Sequence, residues 1–369
     1  MKKLLKHWPL ALAALLALIC AFCLWRLWAA ANLLPSQQAA QRWKGGSGRD
    51  FAQISCFMPA TEQLTPDGLY RFRSDMFQKL KAASYDIEND KGLYLDAWSA
   101  FGTAKVSVGR RIGDVQLAAV GGNFFDFHPL HLLSGSYLRP DDVMDDRVLL
   151  DKETAWLLFG AVDVAGMSFS LNGMPVVAAG VYEHERDAFS RAAYGDDMRV
   201  YMSFSAWRRL LSDDSERSKD DPPVSCYELV MAEPVKGFAY GSATEKFPVR
   251  SAMVVENTYR FEPERLLRLI KNASTRSMQT GVVYVPYWEN AARAAEDRAA
   301  LWLLAAIITG VFPIALLLYA LIRSAVRGKK KLEDDVLPEA RARSRELLRE
   351  QSRRRWERRH PDEVQTEEK

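Results

Sequence analysis

Two histidines stand three positions apart in His128-Pro129-Leu130-His131, and close imidazole pairs are a common start for a transition-metal site. A proline between them breaks helical geometry, and no third ligand completes the set. The pair reads as loop histidines beside aromatic packing. Glu183-His184-Glu185-Arg186-Asp187 places acids and a base together. It lacks the H-E-x-x-H order of a metalloprotease and reads as a solvated loop. Asp141, Asp142, Asp145 and Asp146 gather carboxylates without the glycine and terminal glutamate of an EF-hand loop, so they read as a turn and a helix start. No serine lies in a G-x-S-x-G context, and no G-x-x-x-x-G-K-[ST] loop occurs. Gly45-Gly46-Ser47-Gly48-Arg49-Asp50 lacks the lysine such a loop needs. Asn272-Ala273-Ser274 matches a glycosylation sequon and reads as a helix end. These residue types predict no catalytic constellation, no bound metal and no cofactor.

The elements that must position everything else are two apolar segments, Pro9–Ala31 and Ala299–Ile322. Each has the length of about 20 residues that a helix needs to cross the bilayer core. Lys2, Lys3 and Lys6 precede the first, and Arg323, Arg327, Lys329, Lys330 and Lys331 follow the second. Positive flanks stay on the cytoplasmic side. The expected division is therefore a cytoplasmic N-terminus (1–8), a first membrane helix (9–31), an extracytoplasmic body (32–298), a second membrane helix (299–322) and a basic cytoplasmic tail (323–369). The body holds 31 Lys and Arg against 36 Asp and Glu, and the tail 15 against 11, which fits that split. Trp8, Trp25, Trp28, Trp302 and Tyr319 fall where rings prefer the headgroup level. Arg26 lies near the outer end of the first span, within reach of the interface. Pro313 lies inside the second and reads as a static kink or a hinge. The rival reading of the N-terminus is a signal peptide cleaved at Ala29-Ala30-Ala31. The apolar stretch is longer than an ordinary signal core, which favours the anchor.

The body has 267 residues, enough for a sizeable core. Its patterning predicts an α+β fold of many short strands. Strand candidates include Phe51–Pro59, three short pieces within 93–120, Arg147–Leu150, Cys226–Met231, Ser251–Glu256 and Val282–Val285. Asn172-Gly173 between Met167 and Val181 predicts a tight hairpin. Helix candidates are Leu69–Ala83, Lys152–Phe159 closed by Gly160, Ala206–Leu211, Glu262–Asn272, and a helix from Glu289 continuing into the second span. Residues 32–50 read as a flexible joint and 183–224 as largely irregular. Cys56 and Cys226 lie in strand-like runs, and an oxidising compartment permits a bond between them or leaves two buried thiols. Cys20 and Cys23 read as apolar residues of the first span.

An ordered series in the middle of the chain resembles the extracytoplasmic core domain of MacB-like, FtsX-type ABC transporter permeases. It runs from Gly121-Gly122-Asn123-Phe124-Phe125, through Leu133-Ser134-Gly135-Ser136-Tyr137-Leu138 with Asp141-Asp142, to Arg147–Asp151 and Leu158-Phe159-Gly160. It closes with Gly166-Met167, Leu171-Asn172-Gly173 and the run to Val181. The resemblance implies a MacB-like core, and it implies structural roles for Gly121, Phe124, Phe125, Gly135, Asp142, Leu158, Phe159, Gly160, Gly166 and Gly173. It further implies a non-catalytic membrane subunit that passes motion between a separate ABC ATPase and the outer domain, together with other permease chains or a second copy. One departure stands out: family permeases usually carry four membrane helices, and this sequence shows two. The alternatives are a membrane-anchored sensor or scaffold without an ATPase, and, behind it, an ectoenzyme. The arginine-rich run Glu339–Arg359 predicts a helix for anionic lipid, for an acidic partner, or simply for fixing topology. No nucleic-acid-binding motif accompanies it.

Overall fold

The computed structural model describes residues 2–62, 64–139, 146–194, 197–212, 224–270, 285–331 and 337–359. Its chain divides into two compact units, one being Cys23–Leu304 and the other Met1–Phe22 with Ala305–Lys369.

The larger unit is built on a mixed ten-stranded sheet. In chain order its strands are β1 (Phe51–Phe57), β2 (Tyr94–Val108), β3 (Arg111–Gly122), β4 (His131–Gly135), β5 (Arg147–Asp151), β6 (Ser168–Leu171), β7 (Met174–Glu183), β8 (Arg199–Ser203), β9 (Cys226–Ala232) and β10 (Met253–Glu256). Across the sheet they run β10-β1-β9-β2-β3-β8-β5-β7-β4, and β6 pairs with β2 and β7 off that path. The pairs β3·β8 and β5·β7 are parallel, and the rest are antiparallel. The α+β expectation therefore holds, with a single mixed sheet at its centre.

Local sequence explains most of these pieces. Asn172 (φ 48°) and Gly173 (φ 88°) take the two left-handed positions of a tight turn, which joins β6 to β7. Asp151 caps helix α5 (Lys152–Phe159) by accepting the Thr154 N–H, and Gly160 closes it in the left-handed conformation at φ 73°. Thr65 caps α3 (Pro66–Ala82) through the Gly68 N–H. Thr65→Ala should cost about 1 kcal/mol in urea unfolding of the full chain. Along α3, Phe72, Met76 and Leu80 recur every four residues and are fully buried. Phe72 meets Tyr227 and Phe247 edge-on at 5.6 and 5.2 Å.

Several expectations needed correction. The three short strands between 93 and 120 are one long hairpin, β2 and β3, in unbroken register from Ala97↔Gly122 to Val108↔Arg111. Gly102, between two of those pieces, keeps its place in β2 with the Trp207 ring packed over it, 3.0 Å from where a Cβ would stand. The supposed joint at 32–50 contains a 3₁₀ turn, Pro35–Gln37, and helix α2 (Ala39–Lys44), whose Ala39 and Ala40 are buried. Gln53 ties this segment to β1: its Oε1 accepts the Ala39 N–H and its Nε2 donates to the Ser36 carbonyl. Within 183–224, helix α6 (Ala188–Tyr194) and β8 are ordered elements, and helix α7 (Phe204–Ser212) contains the expected helix at Ala206–Leu211. Short α4 (Phe124–Phe127) follows β3 directly. The supposed strand Val282–Val285 begins in residues outside those described.

Cys56 and Cys226 are free and buried. Cys56 pairs in register with Tyr227, and Cys226 with Phe57. The two cysteines are offset by one residue on neighbouring strands, so their side chains leave opposite faces of the sheet and do not meet for a disulfide. Burial raises both thiol pKa values.

The remaining helices are α1 (Lys2–Ala31), α8 (Phe238–Lys246), α9 (Pro263–Leu269), α10 (Tyr287–Lys331) and α11 (Leu337–Arg359). Trp8–Ala31 and α10 are long and apolar enough to cross a membrane. In the smaller unit the Cys20 thiol donates to the Ala306 carbonyl at 3.3 Å, and Gly310 sits against the same sulfur. Pro313 lies within α10, and α10 continues unbroken past it.

Candidate functional site

Helix α10 begins with three residues that enter the core of the larger unit. The Tyr287 hydroxyl donates to Glu185 Oε1 at 2.7 Å, and the Arg199 guanidinium lies 4.1 Å above the Tyr287 ring. Trp288 packs on His128 and Phe124 with centroid separations of 4.2 and 5.8 Å. Glu289 is 1 % exposed, in a place where a lone carboxylate would be strongly disfavoured.

What makes Glu289 tolerable there is Arg260, which is also 1 % exposed. Arg260 sits just beyond β10, on a turn in which its N–H donates to the Asn257 carbonyl. Its guanidinium grips Glu289 with two parallel bonds of 2.8 and 2.9 Å. Its Nε donates to Glu296 Oε1 at 3.0 Å, two turns along α10 from Glu289. Its Nη1 donates to Gln37 Oε1 at 2.7 Å and to Asn257 Oδ1 at 3.2 Å. Arg293 adds a second cation, donating from Nε to Glu289 Oε1 at 2.9 Å. Burial by itself lowers the Arg260 pKa, and the adjacent carboxylates of Glu289 and Glu296 more than reverse that, so it lies above the ordinary arginine value.

Three segments far apart in sequence thus converge on one planar cation: the residues after α1 (Gln37), the turn after β10 (Asn257, Arg260) and the base of α10 (Glu289, Glu296). Around them α10 presents Ala291, Ala292, Ala295, Ala299 and Ala300, all fully buried. Side chains this small let the helix backbone approach the body closely. Leu266 of α9 packs with Ala299, Ala300 and Leu303, and Ala30 joins the same cluster.

Hydrogen bonds continue inward from this junction. Asn257 Nδ2 donates to Ser55 Oγ at 2.7 Å, and Ser55 Oγ donates to Glu228 Oε1 at 2.8 Å. The other Glu228 oxygen pairs with His128 Nε2, and both side chains are 3 % exposed. A buried polar chain therefore runs from α10 across β1 and β9 to the end of α4. His128 is part of this chain, whereas the His131 side chain is 73 % exposed and 3.7 Å from Glu183, so the two histidines do not converge.

The residues singled out in the sequence occupy other places. Gly121 stands opposite Trp98, whose ring lies 2.3 Å from where a Cβ would be. Phe124 is buried, and Phe125 stacks on Tyr137 at 4.7 Å. Leu158 is buried, and Phe159 meets Phe169 edge-on. Gly135 and Gly166 both have positive φ, at 72° and 84°. Asp142 lies outside the described residues. Among the described ones none bonds to Arg260, although Phe124 packs on Trp288 beside it in α10, and sequence reading missed the Arg260 junction. Its one signal was the run of charges Glu289, Arg293, Glu296 and Asp297 immediately before an apolar span, read there only as helix.

Comparison with known proteins gives the following. Residues 59–237 match the family described as MacB-like periplasmic core domain. No curated protein matches the chain. Among solved structures, the extracellular domain of the noncanonic ABC-type transporter YknZ from Gram-positive bacteria is 16 % identical with a TM-score of 0.33, the match covering 53 % of this chain and 90 % of that one. The periplasmic region of MacB from Actinobacillus actinomycetemcomitans is 17 % identical with a TM-score of 0.39, covering 62 % and 94 %. A domain of a putative permease protein from Porphyromonas gingivalis is 13 % identical with a TM-score of 0.33, covering 56 % and 88 %. The series of glycines and aromatics in the sequence falls inside the matched segment, and over residues 59–237 this chain carries a MacB-like periplasmic core domain match.

Proposed function

We propose that the chain is a non-catalytic membrane subunit of an ABC-type complex. In this reading a separate ATPase chain drives motion in the membrane, and the extracytoplasmic body receives it. Residues 32–298 lie outside and both termini lie in the cytoplasm. Further permease chains or a second copy supply the helices that two spans lack.

The observation that carries this reading is the Arg260 junction. Force passes only through a joint that does not yield. Here a bidentate ion pair, a second carboxylate on the same guanidinium and a close-packed alanine face hold α10 to the sheet domain. Gln37 brings the segment after the first span to the same cation. Displacement of either membrane-proximal segment is therefore felt at β1 and β10, the strands next to Asn257. The family match over residues 59–237 supports the class of complex, and the helices support the membrane location.

The test is isolation of the full chain from its native membranes in mild detergent. A P-loop ATPase should co-purify, and its ATP hydrolysis should change when the chain is added back. Recovery of a monomer indifferent to ATP would overturn the proposal and favour a scaffold. Cysteine labelling in intact cells should find residues 32–298 accessible and both tails protected.

A further inference from the structure

Away from the junction, at the end of β7, three side chains of metal-ligating type face one another: Asp151, Glu153 and His184, with donor atoms all within 4.8 Å. Asp151 is fully buried. Among the described residues neither lysine nor arginine lies at ion-pair distance from it, and its only charged-type neighbour at that distance is His184. Glu153 likewise has only His184, at 3.9 Å. Two carboxylates thus share one imidazole, and the buried one lacks a permanent cation to offset its desolvation.

The geometry points to a divalent transition-metal ion, of the zinc class, bound by Asp151 Oδ2, Glu153 Oε2 and His184 Nε2. Donors at metal–ligand distances of about 2.0–2.1 Å around a tetrahedral ion stand about 3.3 Å apart. The pairs here are 3.0 Å (His184 to Asp151) and 3.9 Å (His184 to Glu153), which bracket that value. The site is also supported from behind. Asp151 Oδ1 accepts the Thr154 N–H at 2.8 Å and Oδ2 accepts the Arg199 N–H at 2.6 Å, which fixes the carboxylate and leaves one lone pair of Oδ2 for a ligand. The His184 ring is held flat against Tyr182 (interplanar angle 12°) and edge-on to Tyr194. Oriented first ligands of this kind are what a metal site requires. A cavity of about 470 Å³, lined by Glu153, Glu185, His184 and Tyr194 among others, opens beside them and admits water as a fourth ligand. Mixed imidazole and carboxylate ligands suit Zn²⁺ better than Ca²⁺ or Mg²⁺. The ion would clamp the end of β7 to the start of α5 and the start of β8.

The experiment uses the full chain, without added affinity histidines, stripped with chelator and then titrated with Zn²⁺ by calorimetry. The expected result is one Zn²⁺ per chain, bound about tenfold or more weakly in Glu153→Gln and in His184→Gln. His131→Gln should bind like the wild type. Glu153 is half exposed, so its variant retains the fold and isolates the ligand effect. At the same free Zn²⁺ the unfolding temperature should rise more for the wild type than for Glu153→Gln. Absence of binding at micromolar free Zn²⁺ would overturn the site. Equal binding by wild type and both variants would overturn it too, placing the ion elsewhere. The proposed ATPase partnership is untouched by either result.

Discussion

Replacing Arg260 with methionine should destabilise the larger unit by about 3–5 kcal/mol, because removing one partner of a buried ion pair strands the other. Here two carboxylates nearly inaccessible to water, Glu289 and Glu296, lose the guanidinium at once, although Glu289 keeps its bond from Arg293. Gln37 and Asn257 lose a donor in the same step. Urea unfolding of the full chain in detergent, followed by tryptophan fluorescence, measures the loss. A shift of less than about 1 kcal/mol would mean that the junction is wet and mechanically soft, since that is the range of exposed pairs. Arg260→Lys should fall between: it keeps the charge and gives up the planar fork that binds Glu289 twice.

A companion variant separates stability from specificity. Changing Arg260, Glu289, Arg293 and Glu296 together to apolar residues of similar volume should recover most of the loss, because a buried ion network is often no more stable than a well-packed apolar substitute. A protein so restored in stability still lacks the directional bonds that fix α10 against Asn257 and Gln37. If the proposed coupling is right, it should fold and yet fail to alter the partner's ATP hydrolysis. Full coupling in that variant would move the transmission path away from Arg260.

How much of this was legible before the structure depends on how local the determinants are. Asn172-Gly173 and the Gly160 stop act within a few residues, and each appears in the structure where it was expected. The glycine-aromatic series likewise located the family segment. The long hairpin of β2 and β3 was not legible, because Gly102 looks like a strand break unless one knows that Trp207 covers it. Residues 32–50 were misread for the same reason: a polar, glycine-ended stretch is ordered by Gln53 and Arg260, both distant in sequence. The Arg260 junction is the extreme case. Its partners Glu289, Glu296 and Gln37 lie 29, 36 and 223 residues away, and each is a charged or polar type that usually faces water. Periodicity places Glu289, Arg293 and Glu296 on one helix face but cannot say that an arginine waits opposite them. The Asp151, Glu153 and His184 cluster was hidden in the same way, since the half carried by Glu183–Asp187 reads as loop until β7 and α5 are set side by side.

Gly135→Ala should cost about 2–5 kcal/mol, the sum of a left-handed backbone cost of about 1–2 kcal/mol and an overpacking cost of about 1–3 kcal/mol. Gly135 ends β4 at φ 72°, opposite Gly180 of β7. A Cβ there would stand 2.3 Å from the Ala179 carbonyl oxygen and 2.5 Å from the Gly180 Cα. Both are backbone atoms, so no rotamer change relieves the contact. Relief requires the edge strand to part from β7, which gives up the Ser136 N–H bond to the Ala179 carbonyl. Gly166 is the control: it has φ 84° but nothing within 4 Å of its Cβ position. Gly166→Ala should therefore lose only the backbone cost of about 1–2 kcal/mol. The difference between the two variants, measured in the same urea titration, isolates the close approach of β4 to β7. Equal losses would mean that the two strands are free to separate, and that Gly135 serves only to turn the chain.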